Sequence, residues 1–305
     1  MANEITYANT GDLKLAEVLS AELQLILADR FSLWGHPSIF YAGDCSQSGS
    51  TTIKVGLAGL GSDAMAAVAE LSTSSNTALT DTSVTLAVAR QAIQRQVTDL
   101  SNLSDSIGLN VDALIRDGVG AALQRFQAMV CGVGDDFTST VGTTTADMTV
   151  DDWFSAQFTL TQASVEGPYL ACLYPTQVTD LTNSIRSEAG AIQFKQDTQD
   201  LLGIKGQGVI GSFGGVDIVS STQVVTANAG ADSAGFMCGQ HAIAYADGTP
   251  SAIQGAGGVV YPAGQKIMVE LSRDAGYSYT TVVSNYYVGV AILQDAKGVA
   301  IITDR

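Results

Sequence analysis

A chain of 305 residues with 46% hydrophobic side chains is long enough for one large core or two moderate ones. Its 14 Lys and Arg against 30 Asp and Glu give a formal net charge of -16. That balance excludes general gripping of a nucleic-acid backbone over most of the surface, though not the enclosure of DNA. The four cysteines, Cys45, Cys131, Cys172 and Cys238, are too scattered for a zinc framework and read as reduced, partly buried thiols. The start, MANEITYANTGD, carries no basic, apolar leader, and the apolar run at 23–27 is too short to span a bilayer. A soluble cytoplasmic product with no membrane partner is expected.

In chain order, a polar arm is followed by a helix over about 12–31, with Asp12 as N-cap and an apolar stripe through Leu15, Val18, Leu19 and Ile26. Residues 38–44 form a short strand or turn. Section 46–98 is dominated by Ser, Thr, Gly and Ala. Ile53, Val55 and Leu57 mark one strand at period two, Val84, Leu86 and Val88 another, and a short helix over 63–70 lies between them. Lys54, Arg90 and Arg95 balance Asp63, Glu70 and Asp81, so the section is locally neutral. It reads equally well as a projecting two-stranded arm or as a surface hairpin with a long insertion.

A strong helix is expected over 111–131, with Val119, Ala122, Phe126 and Val130 on one face, Asn110 as cap and Gly132 as stop. Gly118 and Gly120 inside it call for close packing or a bend. The run TVDD at 149–152 is a capping box with Asp in place of Glu, opening a helix whose apolar face is expected to hold Trp153, Phe154 and Phe158. Then come a strand at 169–173, a helix after Pro175 bearing Val178, Leu181 and Ile185, and a Gly- and Ala-rich section to about 262 that looks like a compact domain of its own. The last forty residues are strand material, expected to return to the sheet against the long helix.

The chemical motifs are weak. Gly206, Gly208 and Gly211 in GQGVIG match a dinucleotide fingerprint, but the sequence FGGVDIVSS that follows reads as turn and strand, where the fingerprint needs a helix. Cys238 and His241 form a C-x-x-H pair without further ligands nearby, short of the three or four a zinc site takes. A relay from Ser233, His241 and Asp247 can be drawn, yet Ser and Asp are so common that the pairing carries little weight. Paired acids at Asp135–Asp136 and Asp151–Asp152 read as loop and helix N-terminal charges. No enzyme, metal or cofactor is expected.

The order of elements resembles the major capsid proteins of tailed double-stranded DNA bacteriophages with the Hong Kong 97-like fold. The segments that carry it are TDTSVTLAVARQAIQRQVTDLSNLS, NVDALIRDGVGAALQRFQAMV, QASVEGPYLACLYPTQVTDL, VIGSFGGVDIVSSTQV, AGFMCGQHAIAYAD and YYVGVAILQDAKGVAIITD. The resemblance implies an α+β chain with an N-terminal arm and first helix (1–45), an extended loop (46–98), a peripheral domain with spine helix and long sheet (99–175 and 263–305) and an axial domain (176–262). It implies a structural subunit that assembles into pentamers and hexamers of an icosahedral virion shell in the host cytoplasm, enclosing double-stranded DNA without reading its sequence. The partners it implies are further copies of the chain, a separate scaffolding protein, a portal and decoration proteins. Lys54, Arg90 and Arg95 are the candidates for contact with neighbouring subunits. Lys54 is the sole lysine of section 46–98, and non-covalent shells are expected. The alternatives are an encapsulin-like nanocompartment shell and a surface-layer or adhesive protein.

Overall fold

The computed structural model describes residues 33, 36–46, 49–58, 70, 81–100, 111–187, 209–250, 259–260 and 267–305. The helix expected at 12–31 lies outside them, as does the one at 63–70 except for Glu70. In chain order the elements are β1 (Ile39–Asp44), β2 (Thr52–Ala58), β3 (Asp81–Ala87), β4 (Ala89–Thr98), helix α1 (Val111–Asp135), β5 (Thr140–Val141), α2 (Val150–Gln162), β6 (Tyr169–Leu173), α3 (Pro175–Ser187), β7 (Val209–Phe213), β8 (Val216–Ser220), β9 (Val225–Ala227), β10 (Asp232–Cys238), β11 (Ile243–Gly248), β12 (Val259–Val260), β13 (Ile267–Asp274), β14 (Tyr279–Ile292) and β15 (Gly298–Asp304).

The strands form two large sheets and a hairpin. One sheet runs β1-β11-β14-β13-β12, with β4 along the other edge of β14. The second runs β5-β15-β10-β6-β8-β7, with β9 beside β10. The hairpin is β2 against β3, from Thr52↔Ala87 to Ala58↔Asp81.

Helix α1 packs against both large sheets. Val119, Leu123, Phe126 and Val130 recur at helical spacing and are buried in a core that takes Val269, Val282 and Val288 from the first sheet and Leu170, Cys172, Phe236 and Ala300 from the second. Period-two alternation sends the other faces of these second-sheet strands to a separate core. Ala171, Leu173, Met237, Val299 and Ile301 meet Trp153, Ala156 and Leu160 of α2 and Leu181 and Ile185 of α3 there.

Gly118 meets the close packing expected of it, since a Cβ there would stand 2.1 Å from Ser284 Oγ on β14. The helix does not stop at Gly132. It continues to Asp135, and the ring of Phe236 on β10 lies over Gly134, where a Cβ would sit 2.2 Å from it. The capping box forms as read: Asp152 N donates to Thr149 Oγ1 (3.2 Å) and Thr149 N to Asp152 Oδ2 (3.0 Å). The face of α2 is turned from the one expected. Val150, Trp153, Ala156 and Leu160 are buried, while Phe154 and Phe158 point outward at 41% and 65% exposure.

The two sheets are joined by adjacent chain crossings. The chain leaves β10 for β11 through 239–242 and leaves β14 for β15 through 293–297, and these connections bond to each other. Gly239 N donates to Lys297 O (3.0 Å) and Leu293 N to Ala242 O (2.8 Å). Just before β1, Ser38 Oγ donates to Pro168 O (2.8 Å), and the buried His36 ring lies 3.3 Å from Asp217 on β8. The pairings therefore cross both sequence boundaries drawn at 175/176 and 262/263: β6 and β15 lie in the sheet of β8 and β10, and β11 lies beside β14. The two terminal strands divide between the sheets. Section 46–98 divides too, because β4 is built into the first sheet by ten register pairs with β14.

Gly132 and Gly134 give opposite expectations. Nothing lies within 4 Å of a Cβ at Gly132, so Gly132→Ala should stabilise the chain by about 1 kcal/mol through helix propensity. Gly134→Ala must displace the Phe236 ring and should destabilise it by about 1–3 kcal/mol. Urea unfolding of the purified chain reads both signs. For His36, burial lowers the pKa from 6.5, outweighing the raising effect of Asp217. Ser38 N donates to Nδ1 (3.2 Å), so the neutral ring carries its proton on Nε2 and donates to Asp217. The unfolded chain then takes up the proton first, so this group's contribution is full above pH 6.5 and is lost as pH falls through 6.5 towards the folded pKa. The stability gap between wild type and His36→Gln should narrow in that window, and the imidazole should titrate by NMR below 6.5.

Candidate functional site

The chemical motifs do not converge. Gly211 lies in β7, paired antiparallel with β8, and not at the mouth of a helix; Gly206 and Gly208 fall outside the described residues. Cys238 is fully buried, its thiol pushed up to about 12 by burial. His241 is exposed, its ring edge-on to Phe40 at 5.0 Å. Ser233 and Asp247 belong to strands of different sheets, and the buried Ser233 Oγ has no hydrogen-bond partner. Cys131 and Cys172 lie with their sulfurs 3.6 Å apart under α1. That contact and burial raise the Cys172 pKa well above its ordinary value, which keeps its thiol protonated. Among the described residues no group of three or more His, Cys, Asp or Glu could hold a metal ion, and no helix is long and apolar enough to cross a membrane.

The surface carries more information. Lys54 projects from β2 and is exposed. At the hairpin base Leu86 is buried, packing with Ala244, Ala246 and Leu293, while Ile53, Val55, Leu57 and Val84 pack around them. The described hairpin therefore rests on the first sheet.

Arg90 and Arg95 sit on opposite faces of β4, as odd and even positions must. Arg95 Nε donates to Asp117 Oδ2 on α1 (2.8 Å), with about half of each side chain exposed. On that same face Arg125 of α1 bonds Gln91 (3.0 Å). Arg90 is on the face away from the helix. Its Nε donates to Asn285 Oδ1 (2.7 Å), and Asn285 Nδ2 donates to Glu270 Oε2 (3.1 Å). This ladder spans three strands and satisfies the amide of Asn285, which is fully buried. Sequence reading found both arginines but not their partners, which lie 22 and 195 positions away.

Tyr41 OH donates to Asp247 Oδ1 (2.7 Å), and burial raises the neighbouring Tyr286 pKa far above the phenol range, with Asp247 adding to it. Asp135 and Asp180 are both raised, chiefly by partial burial and then by nearby acids: Asp136 for the first, Asp147 and Asp304 for the second. Asp135 ends α1, Asp180 lies in α3, and Tyr41, Asp247 and Tyr286 belong to the first sheet.

No protein-family model matches the sequence, and no curated protein matches it either. Solved structures do match in fold. The chain is similar to the capsid structure of cyanophage P-SCSP1u, at 11% identity over 88% of this chain and 87% of that one, with a TM-score of 0.60. It is similar to the capsid asymmetric unit of cyanophage Pam1, at 14% identity over 90% and 92%, with a TM-score of 0.59. It is also similar to the holo-SrpI encapsulin complex from Synechococcus elongatus PCC 7942, at 12% identity over 74% and 77%, with a TM-score of 0.54. The fold is thus that of phage capsid subunits, the Hong Kong 97-like fold expected from the sequence, and an encapsulin shares it.

Proposed function

We propose that the chain is a structural, non-catalytic subunit of a multi-copy protein shell, namely the capsid of a tailed double-stranded DNA phage. The observation that carries this reading is the extent of the shared fold, close to nine-tenths of the chain against each of the two cyanophage capsids. An encapsulin-like compartment is the second reading. The shorter match to the encapsulin, 74% of the chain, favours the phage one.

In this reading the β2–β3 hairpin is the extended loop, the sheet of β14 with α1 is the peripheral domain, and the sheet of β10 with α2 and α3 is the axial domain. The boundaries then follow the strand pairings and not the sequence divisions at 176 and 262. The hairpin would lap onto a neighbouring copy, with exposed Lys54 on it and the half-exposed Arg95 further along β4 as contact residues. Arg90, already held by Asn285, would contribute as part of the ladder. Exposed ion pairs of this kind contribute only about 0.2–1 kcal/mol each, so apolar burial by the hairpin must supply most of the adhesion. Pentamers and hexamers in an icosahedral virion, host-cytoplasmic assembly, and scaffolding, portal and decoration partners follow from the same reading. DNA would be enclosed without sequence-specific contacts, consistent with the net charge of -16.

Negative-stain imaging of purified native particles, with their contents analysed, tests the reading. Closed shells holding nuclease-protected duplex DNA support it, shells holding protein cargo support the compartment, and a monomeric chain refutes both. Boiled particles should give single-subunit bands at 31.5 kDa, because the shell is read as non-covalent; a ladder of multiples overturns that. Deletion tests the hairpin. Removing 50–93 would take out half of β4, so the cut belongs at 55–84, replaced by a short Gly/Ser turn that keeps the Ile53↔Leu86 pair. That chain should remain soluble and unfold cooperatively but form no closed particles.

A further inference from the structure

Three of the four cysteines come together from three separate elements. Cys131 lies in the last turns of α1, Cys172 on β6 and Cys238 on β10, and all three are fully buried in the core shared by both sheets. The Cys131 and Cys172 sulfurs are in contact at 3.6 Å, although 41 positions separate them in sequence. A single buried cysteine is an ordinary small core residue. Two thiols touching across a helix–sheet interface are also the two halves of a bond.

The strand register decides which pair can react. β10 sets Phe236 opposite Cys172 and Cys238 opposite Leu170, so Cys172 and Cys238 are diagonal neighbours on one face of the sheet. Such neighbours stand about 7–8 Å apart, beyond the roughly 4.4–6.8 Å between backbones that a disulfide spans. Cys131 comes from the helix packed on that face, and its sulfur already meets Cys172. Closing to a bond of about 2.05 Å needs a shift of about 1.5 Å, within the reach of side-chain rotation. Gly132 and Gly134 follow in the same stretch of helix, and two poor helix formers favour local opening there. A metal is not the alternative occupant, since among the described residues no group of three or more ligand side chains could hold one.

We propose that Cys131 and Cys172 are an oxidative modification site, closing to an intramolecular disulfide that staples the end of α1 to β6 of the second sheet. Two S–H bonds break and one S–S bond forms. The two electrons and two protons pass to a small two-electron thiol oxidant; with diamide they convert its N=N bond to the hydrazine. The closed core keeps the oxidant out, so reaction waits on opening of the α1 end. Reducing surroundings hold the pair as thiols, and oxidising ones close it. The linked loop contains α2, and joining its ends restricts the unfolded chain, which stabilises the folded one. The site belongs to a single chain and does not depend on what that chain assembles into.

The test uses the purified Cys45→Ser chain, which lacks the one cysteine that is partly exposed. The folded chain is held with millimolar diamide for several hours, then denatured in N-ethylmaleimide and analysed by intact mass and peptide mapping. Untreated chain should take up a maleimide on each of its three remaining cysteines, and oxidised chain on Cys238 alone. The peptides should include Cys131 joined to Cys172. The urea midpoint should rise by about 0.5–1 M and fall back with dithiothreitol. Cys238→Ala in the same background should still close the bond. Cys131→Ala or Cys172→Ala should not, and its midpoint should not move on treatment with diamide.

A folded chain that keeps all its thiols, or one whose linked peptides contain Cys238, overturns the assignment. So does a Cys131–Cys172 bond that leaves the urea midpoint unchanged or lowers it, because nothing is then stapled. If either alanine variant fails to fold, the maleimide count, linked peptides and midpoint of the Cys45→Ser chain decide the matter.

Discussion

Two close approaches along one helix set the geometry of the body. Gly118 lets β14 of the first sheet come against α1, and Gly134 lets Phe236 of the second sheet do the same, sixteen residues on. At 1.5 Å per residue the two contacts are about 24 Å apart along the axis. Each needs a bare backbone, since a Cβ would stand 2.1 Å from Ser284 Oγ at one and 2.2 Å from the Phe236 ring at the other. Between them Val119, Leu123, Phe126 and Val130 bury a continuous stripe shared by both sheets. A helix with a side chain at either glycine would hold one sheet further off, and the shared core would lose density where its residues meet.

The crossings at 239–242 and 293–297 reinforce that arrangement. Strands next to each other in sequence are sent to different sheets, and the two connections bond to one another as they pass. Separating the sheets would break those bonds, open the core under α1 and expose His36 and Asp217 together. No single hinge residue could absorb such a change, because the chain passes between the sheets side by side and not through one linker. The stitched sheets therefore form one connected body, and the β2–β3 hairpin packs on the first of them through Leu86, Ile53, Val55, Leu57 and Val84.

Local signals were legible wherever a local interaction decides the structure. The Thr149–Asp152 box, Pro175 at the start of α3, the strand runs of β13 and β15 and the tight packing at Gly118 all follow from spacing and residue type. What the sequence hid depends on distant partners. Phe154 and Phe158 look like core by size, yet the stripe through Val150, Trp153, Ala156 and Leu160 is the one the second sheet covers, and the small Ala156 does little to advertise it. Gly132 looks like a helix stop, and the turn beyond it is held by a ring from β10. RQAIQRQ looks like part of a solvated arm because β4 exposes one face and its outer edge, while its partner β14 lies nearly 190 residues later. The surface candidates were found as charges only. Their roles as the Arg95–Asp117 link and the Arg90–Asn285–Glu270 ladder depend on register, which local pattern does not encode.

Charge is divided between the two sheets as unevenly as the apolar residues are shared. The segments of the second sheet and its helices, 135–187, 209–238 and 295–305, carry eleven acidic and three basic residues. Those of the first sheet with α1 and the hairpin, 39–58, 81–100, 111–134, 243–248 and 267–292, carry eight acidic and six basic. Copies brought together through the second sheet's unit would meet a one-signed field, screened only beyond about 8 Å at physiological ionic strength. Copies brought together through the first would meet a nearly balanced surface on which cations and carboxylates alternate, as at Arg95–Asp117 and Arg273–Asp99. Salt should therefore act mainly on contacts made by the acidic unit, while the balanced unit and its hairpin can engage neighbours at modest ionic strength. In a shell of identical chains, salt-tolerant adhesion would then fall on the first sheet and the hairpin packed against it.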